Sequence, residues 1–162
     1  MLPLDTTICE GTTLILSPRA GTNPVWQDGS HAPTFPVTIA GLYSVSVNTI
    51  CGDYSDSVKV EIEVCPSNLH VADAFTPNGD GTNDHFTVFG ESIEDYEIKI
   101  FDRWGEKVYD SRDASELNDL SRGWDGTFRG KLQDPAAFAY LITARGYDGK
   151  DYVKKGYVIL IR

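Results

Sequence analysis

An all-β fold of two consecutive antiparallel β-sandwich domains is predicted by three observations. Apolar and polar residues alternate with period two over short runs such as Gly41-Leu42-Tyr43-Ser44-Val45-Ser46-Val47 and Val58-Lys59-Val60-Glu61-Ile62-Glu63-Val64. Such alternation buries one face of a strand and wets the other. Turn formers are dense, with 15 Gly and 8 Pro in 162 residues, which suits many short strands. The pattern breaks once, at Cys65-Pro66-Ser67-Asn68. Proline has no N–H to give a ladder, so a sheet is expected to stop there. The domains expected are residues 1–66 and 69–162, joined by a short, stiff hinge.

In the first domain, Thr12–Leu16 reads as a strand and Asn23–Trp26 as the start of the next, with a turn at Gln27-Asp28-Gly29-Ser30. Thr34–Ile39, Gly41–Val47 and Val58–Val64 complete the set. On the fourth run, Tyr43, Val45 and Val47 share one face, and Leu42, Ser44 and Ser46 the other. Strands at this spacing suggest an immunoglobulin-like sandwich, with Trp26 as its core tryptophan and Tyr43 near the start of strand F. The segment resembles immunoglobulin-like or PKD-like modules of large bacterial surface proteins, and is expected to be a stalk module.

All three cysteines, Cys9, Cys51 and Cys65, fall in this half. In an immunoglobulin-like order, Cys9 near the start of strand B and Cys65 at the end of strand G share a pole. The resemblance to surface modules instead implies Cys9 with Cys51. The pairing of Cys9 with Cys51 or Cys65 therefore stays open, as does a reading in which all three are free.

The second domain opens with Leu69–Phe75, a turn-rich loop over 76–84, and His85–Phe89. Tyr96–Phe101 alternates cleanly and turns at Arg103-Trp104-Gly105 into Glu106–Tyr109. Asp113–Leu120 is the one stretch suited to a helix, of one or two turns. Phe138–Ala144 and Tyr152–Ile161 flank Tyr147-Asp148-Gly149-Lys150, and Asp-Gly between two such runs is a strong hairpin signal.

Composition excludes several functions. The formal net charge is -10, which disfavours nucleic acid and anionic membranes as partners. No apolar run approaches the roughly 20 residues needed to span a bilayer. Met1-Leu2-Pro3-Leu4-Asp5 has neither a basic nor an apolar signal region, so the chain is expected to be a fragment or mature form of a longer precursor. His31, His70 and His85 lack metal-ligand spacing, and no nucleophile elbow or phosphate-cradling loop is present. No enzymatic activity is expected, and the protein is expected to be a monomer.

Three features bear on binding. The 76–84 loop places Asn78, Asp80, the Thr82 carbonyl and Asp84 at alternate positions, with Gly81 at the turn, as a Ca²⁺ loop requires. Its ends do not fit, since Thr76 stands where Asp is wanted and Thr87 where a bidentate Glu is wanted. The competing reading is a loop held by its own Asn and Asp side chains. Arg103 beside Trp104 can stack or reach a partner carboxylate, although tryptophans in small sandwiches ordinarily pack, and Asp125-Gly126 is most simply a turn. The chain ends inside a strand pattern, Gly156–Arg162, which completes a sheet and also offers an edge for β-augmentation.

Several motifs of residues 69–162 fall in a recognisable order. They are Ala74-Phe75-Thr76-Pro77-Asn78-Gly79-Asp80-Gly81, Asn83-Asp84 with Phe86, Ile100-Phe101-Asp102-Arg103-Trp104-Gly105, Lys107-Val108-Tyr109, Gly123-Trp124-Asp125-Gly126-Thr127 and Lys155-Gly156. On these motifs the segment resembles the gliding-motility-associated C-terminal domain of Bacteroidetes, the type B sorting domain of the type IX secretion system. One departure is Ala137-Phe138-Ala139-Tyr140, where that family tends to have Gly-Val-Tyr-x-Tyr. The resemblance implies a C-terminal signal on a large exported cargo. The cargo would fold in the periplasm and reach the cell surface or medium through the translocon and outer-membrane partners of the PorP/SprF kind. Contact residues expected on this basis are Arg103, Trp104, Lys155, Ile161 and Arg162, with the exposed 76–84 loop. The alternative is a calcium-dependent carbohydrate-binding or adhesive module, with Trp104 or Trp124 as a sugar platform.

Overall fold

The computed structural model describes residues 2–18, 22–49 and 52–162. The chain is all-β and divides into two compact units, Met1–Cys65 and Pro66–Arg162, each an immunoglobulin-like sandwich.

Among its described residues the first unit has six strands: β1 (Thr6–Cys9), β2 (Leu14–Leu16), β3 (Thr22–Trp26), β4 (Phe35–Val37), β5 (Gly41–Thr49) and β6 (Gly52–Glu63). One sheet has the order β1-β6-β5-β3, and β2 pairs with β4 in the other. The alternation in β5 works as its period requires. Tyr43, Val45 and Val47 are buried and pack with Trp26, Val58 and Val60 against Leu16 and Val37 of the second sheet. The Tyr43 hydroxyl donates to the Ile39 carbonyl at 2.7 Å, and the Trp26 indole N–H donates to the Ala32 carbonyl at 2.8 Å. Both large aromatics thus bury their rings with their polar atoms satisfied.

Cys9 does not begin the second strand of the sandwich. It closes β1, which runs parallel to β6 from Thr6↔Val60 to Cys9↔Glu63. That register carries Cys9 to Cys65, and the two form a disulfide with a Cα–Cα distance of 5.3 Å. Cys51, the other partner considered, lies outside the described residues.

The second unit contains β7 (Asn68–Val71), β8 (Ala74–Phe75), β9 (Val88–Glu91), β10 (Ile93–Phe101), β11 (Lys107–Ser111), β12 (Thr127–Phe128), β13 (Lys131–Leu132), β14 (Ala136–Gly146) and β15 (Asp151–Leu160). The main sheet has the order β11-β10-β14-β15-β8. β7 pairs with β9, and a bridge joins Phe86 to Trp124. Between them lies a core of Phe75, Phe86, Ile98, Ile100, Trp124, Phe138, Ile142, Val158 and Leu160. The Trp124 and Phe138 rings meet edge-on at 4.7 Å between centroids.

The expected helix over Asp113–Leu120 is a single 3-10 turn, Ala114–Glu116. Asp113 caps it by accepting the Ser115 N–H, and Asn118 turns away with φ 65, so the helix cannot propagate. At the start of the unit, Ser67 is buried and fully partnered. Its N–H and hydroxyl both donate to the Asp148 carboxylate, at 2.9 and 2.7 Å, and its carbonyl accepts from the Tyr152 hydroxyl at 2.6 Å. The Asp-Gly hairpin turn is therefore also the clasp that fixes where this domain begins.

Candidate functional site

Strand pairing gathers one group of sequence motifs at a single pole of the second unit. β10 ends at Phe101 opposite Ala139, while β14 begins with Ala136 opposite Leu160. Leu160 in turn pairs in parallel with Phe75, so β8 delivers the 76–84 loop to the same end. Asp125-Gly126 makes a turn there. Gly126 has φ +77, and a Cβ on it would lie 2.9 Å from Leu160 Cδ1 and 3.0 Å from Pro77 Cγ. The Arg162 guanidinium donates to the Gln133 carbonyl at 2.6 Å.

The β10–β11 turn is rigid. One Asp102 carboxylate oxygen accepts the N–H groups of Trp104 and Glu106, each at 2.8 Å, and the Gly105 N–H donates to the Asp102 carbonyl at 3.1 Å. On this turn Trp104 is 83% exposed, with the Arg103 guanidinium 5.6 Å from its ring centroid. The two tryptophan motifs have thus separated: Trp124 is a core residue and Trp104 is a surface one. A recess of about 400 Å³ lies between the turn and residues 133–138.

The 76–84 loop is tied together by its own polar groups. Asp84 accepts N–H groups of Gly79 at 2.7 Å, Gly81 at 2.8 Å and Asn78 at 3.0 Å. The Gly79 and Gly81 N–H groups hold the Asp84 carboxyl below the ordinary aspartate range. Asn78 accepts the Asp80 N–H, and Asp80 accepts the Thr82 N–H, two successive Asx turns. These bonds take three of the acceptor sites of the Asp84 carboxylate, two on Oδ1 and one on Oδ2. Among the described residues, no group of three or more His, Cys, Asp and Glu is arranged to hold a metal ion.

The remaining candidates lie on β15 or directly after it. Ile161 is 44% exposed and its N–H donates to the Phe75 carbonyl at 3.0 Å. Lys155 is exposed in mid-strand, away from the pole. Sequence reasoning overlooked its neighbours: Val153 is 67% and Tyr157 71% exposed, on the face that also carries Ile159 and Leu141. The signal was present, because β15 carries apolar residues at both odd and even positions, and one sandwich core covers only one face.

Residues 69–160 match the family model of the CHU_C type IX secretion signal domain, over half of the chain. The chain belongs to this family. No curated protein sequence matches it. Among solved structures it is similar to dimeric latent PorU of Porphyromonas gingivalis, at 13% identity and a TM-score of 0.34, over 99% of this chain and 20% of that one. The chain thus spans about a fifth of the length of PorU. A tetra-tandem repeat from the extending region of a large adhesion protein aligns at 14% identity and a TM-score of 0.33, over 92% of this chain and 45% of that one. The fibronectin(III)-like modules of Clostridium thermocellum CbhA align at 11% identity and 0.27, over 99% and 93%. Within the CHU_C domain, the motifs that carry the family likeness divide between turn geometry, as in Asp102 and Asp84, and core packing, as in Trp124 and Phe75.

Proposed function

We propose that residues 69–162 are a C-terminal sorting signal, recognised in the folded state, that directs a large cargo protein through the type IX secretion system. Membership of the CHU_C family supports a sorting role. The observation that carries recognition of the fold is Trp104, 83% exposed on a turn locked by Asp102, at the pole that also presents Arg162 and the 76–84 loop. These groups are distant in sequence and share a surface only after folding. A tryptophan that the core does not need, held rigidly beside an arginine, has the composition of an interaction hot spot. The receptor on this reading is an outer-membrane component of the PorP/SprF kind. The destination is the cell surface or medium after passage through the periplasm, the first unit is the last stalk module of the cargo, and the segment has no catalytic role.

The test is export of a periplasm-directed fluorescent protein fused to residues 1–162, in a gliding bacterium with and without an intact translocon. Translocon-dependent appearance outside the cell supports the reading. Periplasmic retention of the folded fusion overturns it. Trp104→Ala separates surface recognition from folding, and Trp124→Ala, which empties the core, should abolish export by unfolding. The exposed Trp104 also favours a second reading, a glycan-binding module. A glycan that raises the melting temperature and protects Trp104 fluorescence from quenching would select it.

A further inference from the structure

The edge of β15 is open over most of its length. β8 pairs with it at only two positions, Ile159↔Ala74 and Leu160↔Phe75. The Ile159 and Ile161 N–H groups donate across that seam, to the Asp73 and Phe75 carbonyls at 2.9 and 3.0 Å. The β14–β15 register is unbroken from Ala136↔Leu160 to Arg145↔Asp151, so backbone direction alternates regularly along the strand. The N–H and C=O groups of Val153, Lys155 and Tyr157 therefore point the same way as those of Ile159, and among the described residues no strand meets them. That stretch is about 20 Å of unpaired backbone, flanked by exposed Val153 and Tyr157.

Open edges are ordinarily guarded, and Lys154 and Lys155 are the guards here. Among the described residues neither has an ion-pair partner, in a chain whose net charge is -10. They also select the occupant. A second copy paired antiparallel along the whole open stretch would set Lys154 against its own equivalent, with Lys155 opposite Val153, and like-charge repulsion at the centre of the pair opposes it. An apolar strand would leave both ammonium groups unpaired. An extended strand with acidic side chains opposite them satisfies the backbone and the charges together.

We infer that the open edge of β15, from Asp151 to Tyr157, receives an extended, acidic strand of the export receptor by β-augmentation. The inference rests on the sorting-signal reading and names how that signal is held.

The experiment uses the fusion of residues 1–162 with two variants. Lys155→Pro removes an outward N–H and leaves the β14 ladder intact, since Pro is tolerated at an edge whose N–H faces away. The pair Lys154→Glu with Lys155→Glu leaves the backbone unchanged and reverses the charge. Melting temperature and light-scattering mass are measured on the purified chains. Each variant is expected to stay folded and to lower export about tenfold, the worth of one backbone hydrogen bond or one well-placed charge pair. Wild-type export from both folded variants would overturn the inference and leave the sorting reading standing. Loss with Lys155→Pro alone would overturn the acidic partner. A wild-type dimer that Lys155→Pro dissociates would assign the edge to a second copy instead. Periplasmic retention of the folded wild-type fusion would overturn the sorting reading and this inference with it.

Discussion

Gly156 sits beneath the Tyr140 ring, and a Cβ on it would lie 2.7 Å from the Tyr140 hydroxyl oxygen and 2.9 Å from Cζ. The two residues are register partners across β14 and β15. Glycine in mid-strand costs conformational entropy, and here its justification is room for an aromatic ring. Gly156→Ala should destabilise the protein by about 1–3 kcal/mol through overpacking. Tyr140→Phe, which removes the nearest atom, should recover part of that loss. Denaturant melts of the two single variants and the double variant check this coupling.

The Asp84 carboxylate ties three amides, so its loss should loosen the whole 76–84 loop. Its folded-state pKa lies below the ordinary value of 3.8. A group depressed on folding contributes stability that is complete above its unfolded pKa and vanishes as pH falls through the folded value. Melting temperature should thus drop as acid is added below about pH 4. Asp84→Asn should flatten part of that slope. The loop is already braced by its own hydrogen bonds, so millimolar Ca²⁺ is expected to leave the melting temperature unchanged, and a rise would assign the loop a cation. Scanning calorimetry across pH, with and without Ca²⁺, measures both.

The Cys9–Cys65 bridge closes a loop with a sequence separation of 56. Restriction of the unfolded chain on that scale is worth about 4 kcal/mol in the chain-entropy view. Reduction, or Cys9→Ser, should destabilise the first unit by an amount of that order. Three cysteines less two bridged leaves one, so thiol titration of the denatured, unreduced chain should return one thiol per chain.

Trp104 contributes little to the fold, being 83% exposed. Trp104→Ala should change stability by less than about 0.5 kcal/mol. It should nevertheless reduce export of the fusion, while a shift in stability as large as that of Trp124→Ala, about 3–5 kcal/mol, would mean that its role is packing.

Amide hydrogen exchange tests the open edge directly. The N–H groups of Val153, Lys155 and Tyr157 should exchange faster than those of Lys154 and Gly156, which face β14.

Period-two alternation in 41–47 and 58–64 predicted which faces β5 and β6 bury, because a strand has only two faces and the apolar one must leave water. Proline at 66 predicted the end of a sheet for the same kind of local reason. Short partners were harder to see: β1 carries weak alternation and exists because the longer β6 offers it hydrogen bonds, while β12 and β13 are two-residue strands that pair only with each other. The helical pattern over 113–120 gave way to one 3-10 turn, capped by Asp113, because Asn118 leaves the helical conformation and bonds the Gly90 backbone of β9. Arg103-Trp104 and Trp124-Asp125 are alike in composition, and nothing local says that one tryptophan is buried and the other exposed.

What the sequence determined by itself is therefore the class, the strands with strong alternation, the turn chemistry of the Asp-Gly and Asn-Gly motifs, and the family. These depend on residues near one another along the chain, where periodicity and side-chain chemistry act directly. What only the tertiary structure decided is the Cys9–Cys65 pairing, the gathering of Trp104, Arg162 and the 76–84 loop at one pole, and the length of β15 that β8 leaves uncovered. Each of these depends on which strand lies beside which, a matter of long-range pairing that local pattern does not encode.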